Sequence, residues 1–192
     1  MATAVAQGRG ALLTTATQLT ILRIVFVPVF VILLSYGETG YALATFVAAG
    51  ITDVLDGVIA RRFRQKTAIG AMLDPLADKL LMTAAIVILS LPQMGFTNPF
   101  PRWLLIIMIS RDVFILLMSL LIILTVGWTT FRPSVYGKAS TFLQVLTVLA
   151  VLYANWLGAP LANLRILYAL TGVLTVVSGL QYLITTRQYL ES

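Results

Sequence analysis

Residues 51–81 read ITDVLDGVIARRFRQKTAIGAMLDPLADKLL and place charged acids inside segments that are otherwise apolar. Four of the five aspartates of the chain lie here, namely Asp53, Asp56, Asp74 and Asp78. A charged acid at the centre of a membrane helix costs about 2.5–3.5 kcal/mol on insertion scales, so four of them together indicate a functional site. The alternative is a structural set of salt bridges to the neighbouring arginines and lysines, or a water-filled vestibule.

The composition of the whole chain is that of a membrane protein. Of its 192 residues, 59% are hydrophobic and 10% are charged, and the mean hydropathy is +0.97. An ordinary soluble domain has about 25% charged residues, and a soluble fold of this size cannot bury so much apolar surface. Cysteine and histidine are absent, which excludes disulfides, thiol chemistry, Cys/His zinc sites and a histidine base.

Six apolar stretches predict an all-α polytopic membrane protein with six transmembrane helices, since a spanning helix needs roughly 20 apolar residues. They cover residues 19–36, 41–60, 70–91, 103–125, 134–157 and 161–185. Gly37–Gly40, Pro92–Pro101 and Gly158–Pro160 supply the breaks between several of them. We expect residues 1–18 to form an N-terminal tail or interfacial helix, and residues 19–192 to form a single membrane domain.

The basic residues are distributed unevenly between the two sides of the predicted membrane. The N-terminal tail, the second and fourth connections and the C-terminus hold eight of them, whereas the opposite side holds Arg102 and Arg165. The positive-inside rule therefore predicts that both termini and the acid cluster are cytoplasmic, in an inner or cytoplasmic membrane.

The spacing of the four aspartates points to a metal site. Asp53 and Asp56 are three residues apart, and Asp74 and Asp78 are four apart, so each pair shares one face of its helix. A short connection makes the two helices antiparallel neighbours, so the four carboxylates can converge. Carboxylates held so close repel unless cations lie between them. Without nitrogen or sulfur ligands, Mg²⁺ or Mn²⁺ is favoured, and two ions are plausible.

Small and basic residues beside the aspartates fit a phosphate and nucleotide site. Gly57, Ala60 and Gly70 remove side-chain bulk next to the acids and would admit a flat group such as a nucleobase. Arg61 offers a planar fork to a phosphate. The alternatives are close helix packing for the small residues and a plain topology signal for the arginine.

Taken together, these residues resemble the signature of the CDP-alcohol phosphatidyltransferases, D-x2-D-G-x2-A-R-x8-G-x3-D-x3-D. All eight fixed positions match, from Asp53 to Asp78. The resemblance implies attack of an alcohol on a CDP-linked lipid with release of CMP, usually by a homodimer. It implies that Asp53 and Asp74 bridge two metal ions and that Asp56 and Asp78 complete their shells. By the same resemblance, Asp78 accepts the proton of the attacking hydroxyl, and Gly57, Arg61 and Thr67 contact the nucleotide and diphosphate.

The acceptor alcohol is predicted from other segments. Two segments resemble those of the family branch that makes phosphatidylglycerophosphate. They are Asp74-Pro-Leu-Ala-Asp78-Lys79 and the first span around Arg23. We therefore expect transfer of the phosphatidyl group from CDP-diacylglycerol to glycerol 3-phosphate. The candidate residues for binding the phosphate of this acceptor are Arg23, Arg111 and Lys138. The alternative acceptor is phosphatidylglycerol, because Arg111-Asp112 and a single lysine before the fifth span resemble the CMP-forming cardiolipin synthases.

Two further function classes are less consistent with the sequence. A cation transporter would use the aspartates as an ion path, but such proteins often show paired halves, and here four acids lie in one pair of spans. A catalytically inactive scaffold would not need all eight motif residues. No nucleic-acid partner is expected.

Overall fold

The structure is a computed structural model that describes the backbone of residues 15–63, 68–126, 135–161 and 163–190. Its side chains are described at residues 22–55, 79–121, 124, 135–161 and 163–184. Regular structure within these ranges is helical throughout, which confirms the predicted all-α class. The helices are α1 (Thr15–Ser35), α2 (Thr39–Phe63), α3 (Ala68–Leu89), α4 (Arg102–Val126), α5 (Val135–Leu157) and α6 (Leu164–Leu190), with a short 3-10 helix at Pro92–Met94.

Several of these helices are suited to a lipid bilayer. Three segments in the described part of the chain are long and apolar enough to cross a membrane, namely Arg102–Leu121, Val135–Leu157 and Leu164–Ile184. Shorter apolar helical segments are described at Leu22–Ser35, Thr39–Leu55 and Lys79–Leu89. The molecule is therefore a helical membrane protein, while six crossings remain a prediction. Of the predicted N-terminal tail, residues 1–14 lie outside the described residues.

The chain divides into two compact units, Met1–Ile88 and Leu89–Ser192. In the first unit α1 and α2 form an antiparallel pair, in which the rings of Phe30 and Phe46 lie 5.8 Å apart. The turn between them follows from Gly37, whose φ of 78° is left-handed. The amides of Gly37 and Glu38 donate to the carbonyls of Leu34 and Leu33 at 3.0 and 2.9 Å, a helix-ending pattern that favours glycine.

In the second unit α6 packs against both α4 and α5. Gly172 of α6 lets α4 approach closely, because an added Cβ at this position would lie 2.7 Å from Cζ3 of Trp103. Farther along the same pair, the hydroxyls of Ser119 and Tyr182 lie 2.6 Å apart. The residue numbers of these two contacts rise together along both helices, so α4 and α6 run parallel.

Polar contacts join α5 to α6. The hydroxyls of Thr147 and Thr171 lie 2.7 Å apart, and Gln144 Nε2 donates to Thr175 Oγ1 over 3.0 Å. All four side chains are buried, and here the residue numbers run in opposite directions, so the two helices are antiparallel. Hydrophobic burial does not drive helix association inside a membrane, and hydrogen bonds between polar side chains contribute about 0.6–2 kcal/mol each.

Candidate active site

The predicted metal-binding positions lie on two consecutive helices. Asp53 and Asp56 belong to α2, and Asp74 and Asp78 belong to α3. At about 1.5 Å of rise per residue, Asp53 lies roughly 15 Å from the end of α2, and Asp78 lies roughly 15 Å from the start of α3. The two helices thus carry their acids at matching distances along the chain from the connection between them.

Most of the side chains in this cluster lie outside the described residues. This holds for the carboxylates of Asp56, Asp74 and Asp78 and for the predicted nucleotide-binding residues Gly57, Ala60, Arg61, Thr67 and Gly70. Among the side chains that are described, no group of three acidic residues gathers at one point. The predicted convergence of the four carboxylates therefore stays a prediction, and the described geometry of the cluster is that of Asp53.

Asp53 forms an ion pair that the sequence did not predict. Nη2 of Arg23 in α1 donates to Oδ1 of Asp53 in α2 over 2.8 Å. The Arg23 side chain is 1% exposed, whereas the Asp53 side chain is 45% exposed. The pair therefore has a buried cationic end and an open anionic end. A carboxylate in this position can keep one oxygen on the arginine and present the other to a ligand or a metal ion.

The sequence assigned Arg23 to the acceptor phosphate, and the structure gives this residue a second role. Its guanidinium joins α1 to α2 and contacts one oxygen of a predicted metal ligand. Charge-assisted hydrogen bonds of this kind are short and are worth about 1.5–3 kcal/mol. The acceptor role of Arg23 stays a prediction, and any such role operates beside the contact with Asp53.

The second unit holds the other two predicted acceptor residues. Nη1 of Arg111 donates to Asp112 Oδ1 over 2.9 Å, and Nη2 donates to Ser178 Oγ over 3.0 Å. The Arg111 side chain is 13% exposed, and its Nε is buried with no hydrogen-bond partner among the described residues. Lys138, by contrast, is exposed in the first turn of α5.

Ser178 is a contact of Arg111 that the sequence analysis missed. It continues a polar row on α6, in which Thr171, Thr175 and Ser178 recur at spacings of four and three residues and are all buried. Residues at this spacing share one helix face. The sequence contains this row, which identifies the buried face of α6. The row does not reveal that Ser178 contacts Arg111.

Comparisons with known proteins agree with the motif. The model of the CDP-alcohol phosphatidyltransferase family matches residues 13–181. A probable phosphatidylglycerophosphate synthase of Mycobacterium tuberculosis is 31% identical over 91% of this chain and 82% of its own length. A CDP-diacylglycerol–glycerol-3-phosphate 3-phosphatidyltransferase of Haemophilus influenzae is 36% identical over 86% and 89%. A probable CMP-forming cardiolipin synthase of Drosophila melanogaster is 33% identical over 89% of this chain and 57% of its own length.

Proposed function

Because the chain belongs to the CDP-alcohol phosphatidyltransferase family, we propose that it transfers the phosphatidyl group of CDP-diacylglycerol to glycerol 3-phosphate. An acceptor hydroxyl attacks the phosphorus of the phosphatidyl group, the diphosphate bond breaks, and CMP leaves with phosphatidylglycerophosphate as the other product. The observation that carries this proposal is the complete motif on consecutive helices, whose one described carboxylate, Asp53, is held by an arginine and half-exposed.

Two Mg²⁺ or Mn²⁺ ions fit the charges of this cluster. Asp53, Asp56, Asp74 and Asp78 contribute −4 when ionised, and Arg23 contributes +1, which leaves −3. Two divalent cations turn −3 into +1, a balance suited to an anionic diphosphate. When bound, the ions would neutralise the charge that develops on the diphosphate. The open side of Asp53 supports a ligand role for that residue.

The remaining roles follow the motif residue by residue. Asp78 would accept the proton of the attacking hydroxyl, since a carboxylate can act as general base where no histidine is present. Arg61 would contact the diphosphate together with Thr67. Gly57, Ala60 and Gly70 would leave room for the nucleotide beside α2 and α3.

The membrane arrangement belongs to the same proposal. We place all six helices across an inner or cytoplasmic membrane, with both termini and the motif on the cytoplasmic side, and we expect a homodimer. The support is the excess of Lys and Arg on one set of connections, and the match of the six described helices to the six predicted spans.

A second acceptor is favoured by two observations. The relative from Drosophila is named a CMP-forming cardiolipin synthase. In addition, the charge of Arg111 is offset by Asp112 at 2.9 Å, which suits an acceptor with less negative charge than glycerol 3-phosphate. Phosphatidylglycerol, a phosphodiester, is such an acceptor. It is the acceptor to test against glycerol 3-phosphate.

The test measures release of CMP from CDP-diacylglycerol by the purified protein in detergent, with glycerol 3-phosphate or phosphatidylglycerol supplied as acceptor. We expect consumption of glycerol 3-phosphate, dependence on Mg²⁺ or Mn²⁺, and loss of turnover in Asp74→Asn. Glu38→Gln is the matched control, because Glu38 is an exposed acid outside the motif. Consumption of phosphatidylglycerol alone would replace the proposed acceptor, and full activity in EDTA would refute the metal assignment.

A further inference from the structure

The second unit contains a cavity of about 680 Å³ that is not formed by the motif helices. Its walls come from the loop before α4, the loop between α5 and α6, and the first turns of α6. The lining residues used below are Asn98, Pro99, Leu161, Leu164, Arg165 and Tyr168. The volume lies within the range of about 300–1,000 Å³ that is typical of small-ligand sites.

Two hydrogen-bonded asparagines connect the segments that border the cavity. The Asn98 amide N–H donates to Asn155 Oδ1 over 2.9 Å, and Asn155 Nδ2 donates back to the Asn98 carbonyl over 3.0 Å. The Asn98 side chain also joins the two loops, because its Nδ2 donates to the Ala159 carbonyl and its Oδ1 accepts from the Leu161 amide. Both asparagines are buried. The side chain of Asn98 therefore links the loop before α4 to the loop between α5 and α6.

The cavity lies at the level where lipid headgroups are expected. It is located where α4 and α6 begin and where α5 ends. The same helix ends carry Trp103, Trp156 and Tyr153, all of which are exposed. Exposed tryptophan and tyrosine at the ends of apolar helices mark the boundary between membrane and water. The hydroxyl of Tyr168, in the cavity wall, is directed to the Pro99 carbonyl at 3.4 Å.

The charge of the cavity wall is positive. Among the described residues that line the cavity, Arg165 is the charged one, and it is exposed. By sequence, the acids of Leu89–Ser192 are Asp112 and Glu191. Asp112 lies ten residues into α4, roughly 15 Å along the helix from its first residue, and is paired with Arg111. The rest of the wall is mostly apolar, with Leu161 and Leu164 beside the arginine.

We propose that this cavity binds the headgroup of an anionic phospholipid, with its phosphate on Arg165 and its glycerol backbone against Leu161 and Leu164. A free phosphate would match the arginine but would leave the apolar wall empty, and a zwitterionic headgroup would bring its own cation to a cationic site. The proposal concerns the second unit alone and does not depend on the acceptor or on the metal ions.

The experiment is a lipid titration followed by native mass spectrometry of the full chain in a neutral detergent. The probes are dioctanoyl phosphatidylglycerol, dioctanoyl phosphatidylcholine and inorganic phosphate. We expect Arg165→Gln to weaken binding of phosphatidylglycerol on the order of fivefold, which is the effect of one basic residue near an anionic lipid. Arg165→Lys should retain most of the binding. Arg102→Gln is the matched control, because Arg102 lies at the same end of the unit and outside the cavity wall.

Phosphatidylglycerol that binds elsewhere on the protein contributes equally to all of these variants, so the differences between variants report on the cavity. A loss confined to Arg165→Gln, with weak binding of phosphatidylcholine and phosphate, supports the site. Equal losses in Arg165→Gln and Arg102→Gln would show a nonspecific surface charge and overturn it. Unchanged binding in Arg165→Gln would overturn it as well, and phosphate binding as tight as that of the lipid would reassign the cavity to a free anion.

Discussion

Removing one partner of the Arg23–Asp53 ion pair should destabilise the protein far more than removing the other. Asp53→Ala removes a carboxylate that lies 2.8 Å from the guanidinium of Arg23, whose side chain is 1% exposed. Breaking a buried pair in this way costs about 3–5 kcal/mol, and we expect about 3 kcal/mol because the Asp53 end is half-exposed. Arg23→Met instead leaves a carboxylate that water can reach, and its cost should be about 1 kcal/mol or less.

The double variant Arg23→Met/Asp53→Ala sharpens this prediction, since it removes the buried guanidinium together with the carboxylate of Asp53. It should be more stable than Asp53→Ala alone, because replacing a whole buried pair by apolar groups is often close to neutral. For a chain of this size, 1 kcal/mol corresponds to about 2–4 °C in Tm. Asp53→Ala should therefore lower the Tm by roughly 6–12 °C, and adding Arg23→Met should restore much of the loss.

The assay is thermal unfolding in detergent, followed by circular dichroism in the presence of EDTA so that metal binding does not contribute. A double variant less stable than Asp53→Ala, or an Asp53→Ala variant as stable as the unmodified chain, would refute the reasoning. The same series separates structure from chemistry at the site. An active Arg23→Met variant beside a folded but inactive double variant would show that Asp53 has a role beyond its contact with Arg23.

Two further predictions concern the second unit. Gly172→Ala should destabilise the protein by about 1–3 kcal/mol in the same thermal assay, because the new methyl group would overpack against the ring of Trp103. Gly50→Ala is the control, because an added Cβ at this helical glycine would meet nothing within 4 Å. It should be neutral or slightly stabilising. Ser178→Ala should raise the acceptor KM by about two- to tenfold and leave the KM for CDP-diacylglycerol unchanged, since it removes a hydrogen bond that orients Arg111. Ser178→Thr should restore the acceptor KM. Equal changes in both KM values would contradict the assignment of Arg111 to the acceptor.

The helices of this protein could be predicted closely because their limits are set by local signals. Long apolar runs define the interiors, and glycine and proline define the ends. Gly37 and Gly158 adopt left-handed φ values of 78° and 65° just after α1 and α5, where a residue with a side chain would be strained. The largest differences occur where such a signal is weak: α1 begins at Thr15 instead of residue 19, and α6 ends at Leu190 instead of residue 185.

The contacts between helices could not be predicted in the same way. Arg23 and Asp53 are 30 residues apart, and Arg111 and Ser178 are 67 apart. Which residues meet depends on how each helix is rotated about its own axis. A soluble helix reveals this rotation by its apolar stripe, whereas a helix that is apolar on all sides gives no such signal. Among the described helices, α5 and α6 carry polar rows that mark their buried faces, namely Ser140, Gln144 and Thr147 on α5 and Thr171, Thr175 and Ser178 on α6.

The ion pairs that could not be predicted from the sequence affect the choice of acceptor. Three cations were assigned to the acceptor phosphate, and two of them are each paired with a carboxylate, Arg23 with Asp53 and Arg111 with Asp112. Lys138 is the exposed one of the three. A phosphate monoester carries close to two negative charges at neutral pH, because its second pKa is near 6, whereas a phosphodiester carries one. Glycerol 3-phosphate therefore demands more uncompensated positive charge than phosphatidylglycerol does, and Lys138 is the exposed cation among the predicted acceptor residues of the second unit. Phosphatidylglycerol needs less such charge, so we expect the charge at Lys138, rather than the aspartate motif, to influence which acceptor is used.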